Sequence, residues 1–204
     1  MQYSNAKKGI GLIFTAAILE LIASIFSGLV LVLTKYDGLS VLFLVVFSLV
    51  ALVMVIVAAI QYIRGIAIAS RDEYNFKQAI LFVVLDIIFV IIDAILLTFK
   101  ITIPFANFIS SAFECLIVVF ICYGISSIFR STGRDELAKK GISTATIYVI
   151  AFLLGKCIQM LVSTGAFSPI DIAVDIIAII VFIVLDIVAY IKFLVYLNKA
   201  KNEV

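Results

Sequence analysis

Histidine does not occur among the 204 residues. That removes the commonest metal ligand and the commonest general base together, and with them zinc-protease, histidine-relay and most hydrolase chemistries. Cysteine is scarce. Cys115, Cys122 and Cys157 fall inside apolar stretches, are odd in number and show no CxxC spacing, so they argue against a metal centre and say nothing about redox compartment. Proline occurs twice, at Pro104 and Pro169, each where a long apolar stretch begins. Charge is thin as well: 14% of the chain, with 15 Lys and Arg against 13 Asp and Glu, for a net charge of +2. No GxGD, HExxH, GxSxG or CxxC motif is present, so the sequence supports neither an enzyme nor a bound cofactor or metal.

What the chain has in abundance is hydrocarbon. Hydrophobic residues make up 65% of it, more than a soluble domain of this length could hide. The apolar runs are long and almost free of glycine and proline inside, which points to helices that satisfy their own backbone hydrogen bonds and away from a β-barrel. We expect an all-α integral membrane protein forming one membrane domain over 1–204. Its six transmembrane helices are expected near 9–34, 41–63, 79–99, 104–129, 141–164 and 170–197, with 198–204 as a frayed end. The first run follows Lys7 and Lys8 and is too long for the core of a signal peptide, so it reads as a retained span.

Basic residues are distributed unevenly. If the spans alternate, one side of the membrane holds Lys7, Lys8, Arg64, Arg71, Lys77, Arg130, Arg134, Lys139, Lys140, Lys192, Lys199 and Lys201, and the other holds Lys35 and Lys100. The positive-inside rule then puts both termini in the cytoplasm, and the membrane is expected to be a prokaryotic plasma (cell inner) membrane. Asp72, Glu73, Asp135 and Glu136 make the two charged connectors zwitterionic, which argues against nucleic acid as a partner.

A short phrase recurs at the starts of the odd spans. Ala6-Lys7-Lys8-Gly9-Ile10 reappears letter for letter as Ala138-Lys139-Lys140-Gly141-Ile142, and more loosely as Phe76-Lys77-Gln78-Ala79-Ile80. Arg71-Asp72-Glu73 and Arg134-Asp135-Glu136 precede the later copies, and Tyr62, Tyr123 and Tyr190 sit near the ends of the even spans. The pattern reads as three tandem helical hairpins in one orientation. Snorkelling lysines and interfacial tyrosines, which recur in any membrane protein, are the competing account.

Ionisable residues inside the spans carry what functional signal there is. Asp86 and Asp93 lie two turns apart on one face of the third span, about 10 Å along its axis. A charge at the bilayer centre costs about 2.5 to 3.5 kcal/mol on insertion scales, so these carboxylates are expected to look inward. Glu20, Glu114, Lys156, Asp175 and Asp186 add to the set. Spaced at about 1.5 Å per residue, Asp86 and Asp186 fall in the cytoplasmic half, Glu20 and Glu114 near the midplane, and Asp93, Lys156 and Asp175 in the outer half. Ala16, Glu20, Ser24 and Ser27 form a stripe expected to face other helices, as do Asn107, Ser110, Ser111 and Glu114 on the fourth span and Lys156, Gln159 and Ser163 on the fifth. Ala51, Ala58 and Gly65 form a seam where another helix can come close.

For any one of these acids a structural role, paired or hydrogen-bonded to a neighbouring helix, is the simpler account. For the set it is not, because one lysine cannot balance so many carboxylates. The sequence therefore favours a small transporter or channel-like protein moving protons, a cation or a small cationic solute along Glu20, Asp86, Asp93, Glu114, Lys156, Asp175 and Asp186. The alternative is a non-transporting membrane subunit, an assembly, immunity or regulatory factor whose polar faces bind a second copy or another membrane protein in the lipid bilayer.

Overall fold

The computed structural model is all-helical, and it describes residues 3–33, 41–101, 106–163 and 172–204; within these, the side chains of 31–33, 41–42, 159–163, 172–179 and 182 are left undescribed. Among the described residues there are six helices: α1 (Ser4–Leu33), α2 (Val41–Ala69), α3 (Tyr74–Thr98), α4 (Ala106–Ser131), α5 (Asp135–Ser163) and α6 (Ile172–Glu203). Five of them, α1 to α5, are long and apolar enough to cross a membrane. Pro104 and Pro169, both expected at span starts, lie outside the described residues.

The helices outrun the expected spans at their charged ends. α2 continues to Ala69, α3 begins at Tyr74, α5 begins at Asp135, and α6 runs to Glu203 where a frayed tail was expected. The charged connectors shrink to 70–73 and 132–134. Hydropathy marks only the part of a helix that suits hydrocarbon, whereas Arg, Lys, Gln and Glu are good helix formers and carry the helix on into water.

The ends of α3 and α4 are closed by the same hydrogen-bond pattern. At the end of α4 the Arg134 N–H donates to the Phe129 carbonyl at 2.8 Å and the Gly133 N–H to that of Arg130 at 3.1 Å, with Gly133 at φ 76°. The left-handed turn that satisfies these last carbonyls is one glycine adopts without steric cost. At the end of α3, Lys100 takes that position at φ 60°, with Ile101 donating to Leu96 and Lys100 to Leu97.

The chain divides into two compact units, Met1–Asp72 with Leu197–Val204, and Glu73–Tyr196. In the first unit α1 packs along α2. Gly9 and Gly65 touch backbone to backbone, so a Cβ on either would strike the other's carbonyl oxygen. The expected seam is buried: Ala51, Ala58 and Gly65 on α2 lie inside, facing an α1 that buries Ala6, Ile10, Ile13, Ala16 and Ala17. Asp72 closes the same end. Its carboxylate accepts from the Ala6 N–H at 2.8 Å and from Asn5 Nδ2 at 2.9 Å, supplying an acceptor to the N-terminal turn of α1. Lys201 of α6 lies over the Phe14 ring, 4.3 Å from its centroid.

In the second unit α4 packs against both α3 and α5. Gly124 of α4 lies against the Phe76 ring of α3, and Gly141 of α5 against Ser126 of α4 and Tyr196 of α6. Ser126 Oγ donates to its own helix at the Cys122 carbonyl, 2.7 Å, so the buried Tyr196 hydroxyl 3.2 Å away is the donor to Ser126. Phe129 and Phe193 add edge-on ring contacts, to Tyr196 and Tyr148 respectively.

These contacts give the recurring phrase a packing reason. Its first residue (Ala6, Phe76, Ala138) and its fourth (Gly9, Ala79, Gly141) are buried each time, and the lysines between them, Lys7, Lys8, Lys77, Lys139 and Lys140, are exposed. Residues three apart share a helix face, so the phrase is a small-residue contact with snorkelling cations on its flank. Among the described residues, burial in α1, α3 and α5 is concentrated at this end. Further along, α2 and α3 expose Val53, Ile56, Ile88 and Ile91 among many others, and continuous apolar surface of this extent belongs in hydrocarbon.

Gly9→Val and Gly65→Val should each destabilise the chain by about 2 kcal/mol or more, because backbone cannot yield to the added methyls as side chains do. Gly11→Ala, where a Cβ meets nothing within 4 Å, should stay within about 0.5 kcal/mol of the parent. Thermal unfolding in detergent, followed by circular dichroism, distinguishes the three.

Candidate functional site

The polar face of α4 is built on helical spacing: Asn107, Ser110, Ser111 and Glu114 recur at i, i+3, i+4 and i+7. Ser111 settles its own hydrogen bond locally, donating to the Asn107 carbonyl at 2.7 Å. Ser110 looks across to α3 instead and donates to an Asp86 carboxylate oxygen at 2.7 Å. From the other side Lys156 of α5 brings its ammonium to the Asn107 carbonyl oxygen at 3.4 Å. One face of α4 thus receives an acid from α3 and a cation from α5.

Aromatic rings bracket this seam. Phe82, Asp86, Phe89 and Asp93 fall on one stripe of α3, and the rings on it meet α4: Phe82 stacks on Phe120 with centroids 5.4 Å apart, and Phe82 and Phe89 each approach Phe113 at 6.2 Å. Phe108 of α4 meets Phe152 of α5 at 5.7 Å. Phe152 is one turn before Lys156, and Phe108 directly follows Asn107. Sequence reasoning passed over these phenylalanines, although Phe82 and Phe89 stand four before and three after Asp86, the spacing of one helix face.

Of the seven residues singled out in the sequence, Asp86 and Lys156, both half-buried, each reach α4, at Ser110 and at Asn107 respectively, and Glu114 belongs to the same α4 face on an exposed edge. Asp93 lies two turns beyond Asp86 on the same stripe and is half-buried. Asp186 is exposed on α6. Glu20 is exposed on α1, in the other unit, and its stripe points outward beyond the buried Ala16, since Ser24 and Ser27 are also exposed. Asp175, Gln159 and Ser163 lie outside the residues whose side chains are described.

The depth scale needs correction where it separated Asp86 from Lys156. Residues 87–98 of α3 follow Asp86, but only residues 106–109 of α4 precede Ser110. α3 therefore runs well past the start of α4. This stagger carries Asp86 to within about one helical turn of the level at which Lys156 meets Asn107. A ruler that starts every helix at one plane misses it, because helices tilt and slide to match their side chains.

The chemistry available is that of acceptors. Along this face the Asp86 carboxylate is held by Ser110, and the Asn107 carbonyl receives Ser111 and the Lys156 ammonium, a set of acceptors that suits a proton or a cation. Among the described residues no group of three or more His, Cys, Asp and Glu could hold a metal ion.

Ser110→Ala removes the donor that Asp86 relies on, and should cost about 0.6 to 2 kcal/mol, the range for a hydrogen bond to a carboxylate between membrane helices. Chemical or thermal unfolding in bicelles measures it; Ser111→Ala, whose hydroxyl bonds only its own helix, serves as the silent comparison. No protein family model matches the chain, and no curated protein or solved structure matches it either.

Proposed function

We propose that the chain is a small transporter or channel-like protein of a plasma membrane, moving protons, a monovalent cation or a small cationic solute along the polar face of α4. The observation that carries this reading is the meeting of Asp86 with Ser110 beside Lys156 on Asn107, inside helices whose outer surfaces are hydrocarbon. Retaining an acid and a base at that depth is costly, and such residues mark ion or proton pathways by default. Asp86 is the primary cation-binding group on this reading, Glu114 and Asp93 extend the path, and Lys156 supplies a counter-charge. In the proposed topology α6 also spans and the helices form three tandem hairpins, with both termini cytoplasmic, an orientation that the distribution of lysine and arginine favours. The chemistry is conduction or carriage; no covalent step is assigned.

A second reading is favoured by a different observation. Glu20 on α1 and Asp186 on α6 are exposed, with Leu21, Ile25, Ile187 and Val188 exposed near them. Carboxylates there are costly against lipid and well placed against another membrane protein's helices, as in an assembly or regulatory subunit.

Reconstitution into liposomes separates the two readings. Under the first, the purified chain supports proton or monovalent-cation flux, and Asp86→Asn and Asp93→Asn each lower it by about tenfold or more while elution and helicity are unchanged. Absence of flux, together with a second protein that copurifies and is lost on Glu20→Gln, favours the second.

A further inference from the structure

Lys156 stands out because it places a primary ammonium where the proposed cargo would have to go. Its Nζ lies 3.4 Å from the Asn107 carbonyl oxygen, which already accepts from Ser111 Oγ, and the neighbouring turn of α4 offers Ser110 with the Asp86 carboxylate behind it. An ammonium carries three donors and no acceptor, and every one of these partners can accept. The alkyl side of the position is equally specific. The Phe108 and Phe152 rings, adjacent to Asn107 and one turn before Lys156, form an apolar pair beside the polar seam. A bare alkali ion has no hydrocarbon to bury against such a pair, whereas an alkylamine does.

Resting on the transport reading above, we propose that the Lys156 ammonium is a tethered occupant of the binding site, standing where a primary alkylammonium cargo binds, so that cargo and lysine replace one another at Asn107. The empty site then never leaves its carboxylates without a cation, which explains why a lysine is retained among apolar residues on α5. The exchange also makes occupancy self-limiting. Cargo that enters must displace a covalently held competitor, and cargo that leaves is replaced by it. No bond is made or broken.

Competition of this kind has a signature that a structural ion pair lacks. Removing the tethered competitor should tighten binding, because the fraction of sites ready for cargo rises. The test uses the full chain in lipid nanodiscs, with n-butylammonium chloride titrated by calorimetry at constant ionic strength and potassium chloride as the comparison. K156M is expected to bind n-butylammonium about tenfold more tightly than the parent, corresponding to a lysine that holds the site about nine-tenths of the time; potassium should compete with neither. Binding that is unchanged or weaker in K156M overturns the proposal, as does potassium competing on equal terms. If K156M and K156Q both lose monodisperse elution, Lys156 is a structural counter-ion and the proposal falls. A parent chain that conducts protons in liposomes but binds no n-butylammonium sinks the tethered-occupant idea alone; a parent that neither conducts nor binds sinks the transport reading with it.

Discussion

In hydrocarbon a polar side chain has no water to fall back on, so what it meets is whatever a neighbouring helix offers. That constraint organises the Glu73–Tyr196 unit. Asp86 cannot face lipid cheaply, Ser110 can donate to it, and the two come together at 2.7 Å only if α3 slides past the start of α4. The same face of α4 then reaches α5 through Asn107 and Lys156. One helix takes the central position because its polar residues recur at i, i+3, i+4 and i+7, and the phenylalanines around them complete the contact on either side.

Packing and polarity occupy different stretches of the helices. Close contact is made where the charged connectors and helix termini lie: Gly9 on Gly65 in one unit, Gly124 on Phe76 and Gly141 on Tyr196 in the other. Small residues let backbones approach within the range where dispersion forces act over many atoms, and in lipid this replaces the hydrophobic drive that holds soluble cores together. The acids sit further along, where burial is thinner and α2 and α3 expose isoleucine and valine. Within the Glu73–Tyr196 unit the polar contacts of α3, α4 and α5 thus lie in the part least committed to packing.

Much of this was legible in the residues. Long uninterrupted apolar runs announce helices, and α1 to α5 are helices of membrane-crossing length. The Ala51, Ala58 and Gly65 seam was readable from spacing alone, and so was the α4 polar face. Helix ends were not, because hydropathy falls at Arg64 and Lys77 while helix propensity does not, so α2 and α3 extend to within a four-residue turn of one another. The stagger between α3 and α4 was also out of reach: it depends on which serine finds which carboxylate, a tertiary fact with no local signature. The outward aim of Glu20 escaped for a related reason. A stripe of small and polar residues specifies a face but not what that face meets, and only Ala16 of that stripe is turned inward.

The central claim is that side chains from α3 and α5 meet on one face of α4 within the bilayer. Its most direct test is cysteine cross-linking in lipid, using a chain whose Cys115, Cys122 and Cys157 are replaced by alanine. Asp86→Cys combined with Ser110→Cys should form an intramolecular disulfide on mild oxidation, while Asp86→Cys combined with Ser111→Cys, one position round the helix, should form far less. Equal cross-linking of both pairs, or none in the first, would contradict the arrangement of α3 on α4.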